Sequence, residues 1–371
     1  MGVIMTQKTF NQTSCINYGS SLSIDKSRLQ YMIGGLLYMP AFQVNVVQKI
    51  KDRKIEGLTS VAFCLEDAIQ DDALEEAEKK LRIILMELRP IYRERREKMP
   101  LLFVRVRTPE HMRHISCFLG EDENILTGYI LPKFDTSNGE AYANIIRDIN
   151  RKRVTPLYVM PVLESDMIAD IRRRGEVLHD VKALLDNVKE FVLNVRVGGN
   201  DFSNLYGLRR PIYTNIYSVG IIRDILVDIL NVFSRDYVVS GPVWEYFDDR
   251  KGVAWLEGLL QELELDRING FIGKTAIHPS QLPYIYDSLK VSRTDYEDAR
   301  QLLRWDVEKL GVVKSADGSR MNEVKTHRRW AERVKMLGDI YGVRDESRNE
   351  IECGAISIYG RKPVACGKAS Q

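Results

Sequence analysis

The chain is poor in the residues that build disulfide frameworks and zinc sites. Its five cysteines are odd in number and widely scattered, and none forms a CxxC or CxxH cluster. Neither a disulfide scaffold nor a structural zinc is expected from such a set. No apolar stretch reaches the about 18 residues that a membrane span requires, and the N-terminus has no hydrophobic signal core. A reducing cytoplasm is therefore the expected compartment, with no membrane partner. Charge of one sign is lacking too: the formal net charge is +2. The basic stretches RERREK (93–98) and RDINRKR (147–153) mix signs or fall on expected helix faces. They read as solvated surface, and no nucleic acid is expected as a partner. No GxGxxG follows the first expected strand, which counts against a dinucleotide-binding fold. His111, His114, His179 and His327 have no constellation of chemistry-bearing residues around them.

What is present is a set of short apolar runs that end in charge. They are SVAFCLED (60–67), LLFVRVR (101–107), GYILPKF (128–134), LYVMPVLE (157–164) and FVLNVRVGGND (191–201). Each has the length of a strand buried on both faces, and charge enters only near its C-terminal end. Parallel barrels carry their active sites at those ends. Strands are expected near 33–39, 60–65, 101–106, 128–132, 157–163, 191–197, 237–240 and 270–273. The spacers between them are helical in pattern. In EEAEKKLRIILMELRPIY, Leu81, Ile84, Leu85 and Leu88 share one face. Strands alternating with helices predict an α/β fold, a (β/α)8 TIM barrel with a C-terminal helical extension. The doubly wound open sheet is the alternative. The expected divisions are an N-terminal arm (1–30), the barrel (31–291), a helical segment (292–342) broken by the turn SADGS (315–319), and a loosely ordered tail (343–371).

The charged strand ends supply the candidate site. Glu164 and Asp201 follow long apolar runs, and an unpaired carboxylate in a barrel core costs several kcal/mol. At the rim they are either ligands of Mg2+, which favours oxygen donors and keeps much of its water, or partners of a nearby Arg or Lys. Gly198 and Gly199 allow close backbone approach to a ligand. Arg105 shares a strand face with Leu101 and Phe103. Its planar fork suits either a substrate carboxylate or an ion pair with Glu66 or Asp67. Only one of the adjacent Glu66 and Asp67 can face the lumen from a strand. Lys133 stands ready to hold an anionic substrate group or to tether a rim carboxylate. His278, beyond the eighth strand, is either a general base or a loop fastener.

Together, LLYMPA (36–41), CLEDAI (64–69), VRVR (104–107), LPK (131–133), LES (163–165), GGNDFSNLYG (198–207) and GFIGKTAIHPSQ (270–281) resemble the citrate lyase beta-subunit-like, or HpcH/HpaI aldolase, superfamily. LLYMPA and MNEVKTHRRWA (321–331) narrow the resemblance to a bacterial branch of TIM-barrel C–C bond lyases found near tellurium-resistance genes. The resemblance implies a Mg2+-dependent lyase or aldolase working through a metal-stabilised enolate. Its substrate would be a carboxylate-bearing hydroxy acid or the CoA thioester of one. It implies Glu164 and Asp201 as metal ligands and Arg105 as a catalytic and substrate-binding residue. Glu66 and Asp67 would act beside the metal's water, and Lys133 and Gly199 would line the substrate. It also implies a homo-oligomer, a trimer or hexamer. One departure stands out: Asn322 occupies the position where CoA-lyase relatives carry a catalytic Asp, and an amide is no base at neutral pH. That leaves Glu66 or His278 as the base, or a substrate that is not an acyl-CoA. A metal-binding, non-catalytic subunit of a larger complex is the alternative function.

Overall fold

The computed structural model describes residues 25–42, 45–96, 99–247, 254–305, 311–315 and 317–344. The chain divides into two compact units, Met1–Leu289 and Lys290–Gln371. Most of the N-terminal arm and of the tail lies outside the described residues. The part of the arm that is described already contains helix α1 (Lys26–Met32), which buries Leu29 and Met32.

The first unit is a parallel barrel. Its strands are β1 (Gly35–Pro40), β2 (Ser60–Cys64), β3 (Leu101–Arg105), β4 (Gly128–Leu131), β5 (Tyr158–Leu163), β6 (Val195–Val197), β7 (Val239–Ser240) and β8 (Lys274–Ala276). They pair in the order β7-β6-β5-β4-β3-β2-β1-β8, and a parallel bridge from Gly241 to Lys274 brings the two edges together. The helices between and after them are α2 (Val46–Lys51), α3 (Leu74–Arg95), α4 (Pro109–Leu119), α5 (Gly139–Asn150), α6 (Asp166–Ala169) and α7 (Arg174–Asp186). They continue with α8 (Gly199–Leu205), α9 (Gly220–Phe233), α10 (Ala254–Asn269) and α11 (Leu282–Ser288). This is the (β/α)8 barrel that the strand–helix alternation predicts. Among the described residues, no helix is long and apolar enough to cross a membrane.

Strand alternation sorts the side chains into two sets. Val61, Phe63 and Leu65 of β2, with Leu102, Val104 and Val106 of β3, join the apolar layer under the helices. Their neighbours Cys64, Glu66 and Arg105 are left for the lumen. The same rule sends Glu164 and Arg196 inward, because Val159, Leu163, Val195 and Val197 pack outward. Helix α3 buries Leu81, Leu85 and Leu88 against this layer. Helix α4 starts where Thr108 accepts from the His111 N–H at 3.1 Å and Pro109 fills the first turn.

The eighth strand departs from expectation. The apolar GFIG drew it to 270–273, but Gly270 and Gly273 have φ of 103° and 74°, which no strand tolerates. A Cβ at Gly273 would also lie 2.4 Å from the Gly34 carbonyl oxygen. The strand instead begins at Lys274, whose fully buried side chain turns outward to α10. There Nζ bonds Glu262 Oε1 and Asp266 Oδ2, each at 2.8 Å. Arg210 and the Ile216 N–H share Glu262, and the Tyr217 hydroxyl donates to Asp266. This satisfied network fastens α10 and the segment around 210–217 to the barrel wall.

The second unit contains β9 (Val291–Ser292), α12 (Arg293–Arg304), β10 (Val312–Lys314), β11 (Met321–Glu323), α13 (Val324–Tyr341) and β12 (Val343–Arg344). Ala299 and Leu302 of α12 pack with Ala331 and Val334 of α13. The expected turn at 315–319, of which residue 316 lies outside the described residues, falls between β10 and β11, an antiparallel pair in which Val313 faces Asn322. Asn322 is thus a strand residue, buried, with Nδ2 lacking an acceptor.

Replacing Lys274 by Met would leave Glu262 and Asp266 buried against a single remaining cation. Breaking a buried pair in this way costs about 3–5 kcal/mol, so the urea midpoint of Lys274→Met is expected to fall clearly. An unchanged midpoint would remove the network from the barrel's stability.

Candidate active site

The C-terminal ends of β2, β3 and β5 converge on one guanidinium. Arg105, 6% exposed, directs Nη1 to Glu66 Oε2 and to Asp67 Oδ2, both at 2.9 Å. Its Nη2 donates to Glu164 Oε1 at 3.1 Å. The Arg105 Nε is buried and has no acceptor. Arginine does not give up its proton in a protein, so a buried guanidinium must gather anions, and these three carboxylates are the ones at hand.

Glu66 and Asp67 both reach the cluster, because the chain turns after β2 and is no longer bound by strand alternation. The Asp67 N–H donates to Glu66 Oε2 at 3.0 Å. Glu66 is half-buried, whereas Asp67 is exposed. Burial holds the Glu66 carboxyl above its ordinary range. Burial also opposes ionisation of Asp67, but the hydrogen bond from Glu66 and the charges of Arg105 and Lys133 outweigh it and draw Asp67 below its ordinary range. The two carboxyls of the pair are therefore shifted in opposite directions.

Lys133 serves the site with both ends. Its φ of 47° lies in the left-handed region, which a long side chain occupies only under constraint. That backbone turn aims its N–H at Glu164 Oε1, at 3.0 Å. Its Nζ bonds Glu66 Oε1 at 2.9 Å, so the side chain tethers a rim carboxylate.

Glu164 is 4% exposed. Burial is the main cause that pushes its carboxyl up to about 8; Arg105 opposes this and the charge of Asp201 adds to it. Asp201 sits in the first turn of α8, partly buried, near enough to act on both Glu164 and Lys133. Gly198 makes the packing possible: a Cβ there would lie 2.1 Å from Glu164 Oε2. Gly199 is small for a different reason, since a Cβ would meet Ile216 and Pro242.

The donors near Glu164 and Asp201 are carboxylate oxygens. No group of three or more His, Cys, Asp or Glu side chains among the described residues is arranged to enclose a metal. Two carboxylates fit Mg2+, which prefers oxygen donors, keeps several waters and rarely takes an all-protein cage; they do not fit zinc or copper.

Arg107 lies outside the cluster, bonding the carbonyls of Leu65 and Ile69 at 2.7 and 2.6 Å and pairing with Asp71. His278 caps the short turn Pro279–Gln281. Its Nδ1 accepts from the Ser280 N–H at 3.2 Å, and its ring stacks on Phe247. Three participants escape sequence reasoning. Tyr38 carries the Arg105 guanidinium 5.6 Å from its ring centre. Ser165 has a buried Oγ without a partner. Arg196 lies in the lumen on β6. The only signal for Arg196 was a charge inside an apolar strand.

A family model described as C–C bond lyase of the TIM-barrel fold matches residues 27–343. Among solved structures the chain is similar to CitE from Mycobacterium tuberculosis, in complex with magnesium, acetoacetate and coenzyme A. Identity is 19%, with 83% of this chain and 99% of that chain covered and a TM-score of 0.53. It is also similar to RipC from Yersinia pestis, at 16% identity, with 71% of this chain and 98% of that chain covered and a TM-score of 0.49. No curated protein matches.

The raised carboxyl of Glu164 makes stability fall with pH in the metal-free protein. Between the ordinary value of 4.5 and about 8, the unfolded chain has lost a proton that the folded protein keeps. Unfolding is then increasingly favoured as pH rises through that window. With EDTA present, the melting temperature of Glu164→Gln relative to wild type is expected to rise from about pH 5 to about pH 8.5. A difference that stays flat over that range would show that Glu164 is not held protonated.

Proposed function

Because the chain belongs to the TIM-barrel C–C bond lyase family, we propose that its barrel mouth cleaves or forms a carbon–carbon bond beside a carbonyl, with Mg2+ held by Glu164 and Asp201. The observation that carries this reading is the single cluster in which Arg105 bonds Glu66, Asp67 and Glu164, with Asp201 beside it. The magnesium in the M. tuberculosis CitE structure supports the choice of ion. When bound, Mg2+ supplies a Lewis acid that polarises the carbonyl and offsets enolate charge.

The chain's own residues do the rest. Arg105, with its free Nε, orients a substrate oxygen and stabilises the negative charge that develops on it. In the cleavage direction the substrate hydroxyl loses its proton to the Glu66–Asp67 pair, through Asp67, the member that is ionised. The hydroxyl oxygen becomes a carbonyl, and the electrons of the breaking bond pass to the enolate. Glu66, the member that burial shifts toward protonation, delivers a proton to the enolate carbon. Lys133 holds Glu66 in place. Asn322 in place of an acid favours a free hydroxy or oxo acid over its CoA thioester, since the thioester reaction of relatives relies on that acid.

Turnover of a panel of hydroxy acids and their thioesters, assayed by release of the oxo product, tests the reading. EDTA is expected to abolish activity and Mg2+ to restore it. Glu164→Gln and Asp201→Asn are each expected to lower kcat/KM by about 100-fold or more. Turnover that persists in EDTA and survives both substitutions overturns the proposal.

A further inference from the structure

Buried cations in this barrel come with anions. Lys274 has Glu262 and Asp266, Arg210 has Glu262, Arg174 has Asp228, and Arg105 has its three carboxylates. Arg196 breaks the pattern. It is 1% exposed, and among the described residues no carboxylate pairs with it. Its Nη2 donates to Thr275 Oγ1 at 2.7 Å. Its Nε and Nη1 are buried and have no acceptor.

The position of Arg196 gives this a meaning. It faces the lumen from β6, where Val162 is its register partner on β5. Glu164 is therefore the next lumen-facing residue beyond it toward the mouth. Tyr38, partly exposed, stands between the two guanidiniums, interacting with Arg196 as well as with Arg105. Arg105 is already matched by carboxylates, so the uncompensated positive charge of the lumen belongs to Arg196. A permanently charged group with two idle N–H groups is costly to bury, and the cost is recovered when an anion arrives.

We propose that Arg196 and the Tyr38 hydroxyl form a second anion subsite, directly beneath the Arg105–Glu164–Asp201 cluster, that receives a second carboxylate of the substrate. The substrate is then a free dicarboxylic hydroxy or oxo acid. This rests on the lyase reading above and narrows it. Arg196 is a specificity residue: its unpaired N–H groups donate to the carboxylate, and the non-reacting end of the substrate is thereby fixed.

Calorimetric titration of the intact protein in Mg2+ buffer provides the test, with malate and 2-hydroxyglutarate as diacids and 2-hydroxybutyrate as the monoacid. Wild type is expected to bind one of the diacids at least about 10-fold more tightly than the monoacid. Arg196→Gln should weaken that diacid by about 10- to 100-fold and leave the monoacid within about twofold. Tyr38→Phe keeps the ring and covers the case in which Arg196→Gln does not fold; it should weaken the diacid by about 5-fold. If Arg196 only braces β8 through Thr275, the substitution lowers the melting temperature but keeps the diacid preference, and the subsite is refuted. Wild type that takes up Mg2+ and the monoacid without preferring either diacid also refutes it, with the lyase reading intact. Wild type that takes up neither Mg2+ nor any acid overturns both.

Discussion

A guanidinium that cannot be neutralised by losing a proton, set inside a barrel, organises this molecule's reactive end. Arg105 needs anions within reach, and the chain supplies them from the ends of two other strands. Glu164 approaches from β5, and Glu66 and Asp67 from the turn after β2. That demand explains features that look unrelated in the chain. Lys133 accepts a left-handed backbone so that its N–H can reach Glu164. Gly198 forgoes a side chain because Glu164 occupies the space. Each concession costs on the order of 1 kcal/mol, less than leaving a buried carboxylate or guanidinium unmatched.

The barrel contains a second buried charge network, and the contrast between the two is instructive. Outside the wall, Lys274, Arg210 and Tyr217 meet Glu262 and Asp266 with good geometry. Such a network resists change and fastens α10, whose buried Glu262 and Asp266 would otherwise argue against its docking. Inside the lumen the accounts stay open: Arg105 Nε, Arg196 Nε and Nη1, and Ser165 Oγ have no acceptor or donor. Stability alone would close such gaps, since a half-satisfied polar network is worse than an apolar core. Open donors at the mouth of a barrel belong to a site that completes itself with a ligand.

The sequence was most legible where burial on both faces forced an uninterrupted apolar run. Strands β2 to β5 lie where their runs predict, and Glu66, Asp67, Arg105, Lys133 and Glu164 near their ends meet in space. Legibility failed where charge sits inside an element rather than at its end. The eighth strand was drawn to the apolar GFIG; only the carboxylates of α10, a separate part of the chain, make Lys274 a strand residue. Arg196 was hidden for the same reason, inside FVLNVRV, and Tyr38 was absorbed into an apolar stretch. Asn322 fell within the segment expected to be helical, but it belongs to a hairpin whose partner strand supplies its conformation. In each case the missing information was a contact distant in sequence, which local pattern does not encode.

Those hidden residues bear on where a proton can go. A carbon–carbon lyase must take a proton from a hydroxyl and deliver one to a carbanion. With an amide at position 322, the second unit offers no acid or base at that position. The mouth of the barrel already holds a divided pair: Glu66 drawn toward its protonated form by burial, and Asp67 ionised by its neighbours. A carboxyl pair shifted in opposite directions suits acid and base steps in alternation. Arg105 bonds both members and Lys133 bonds Glu66, so the pair is held in a fixed frame.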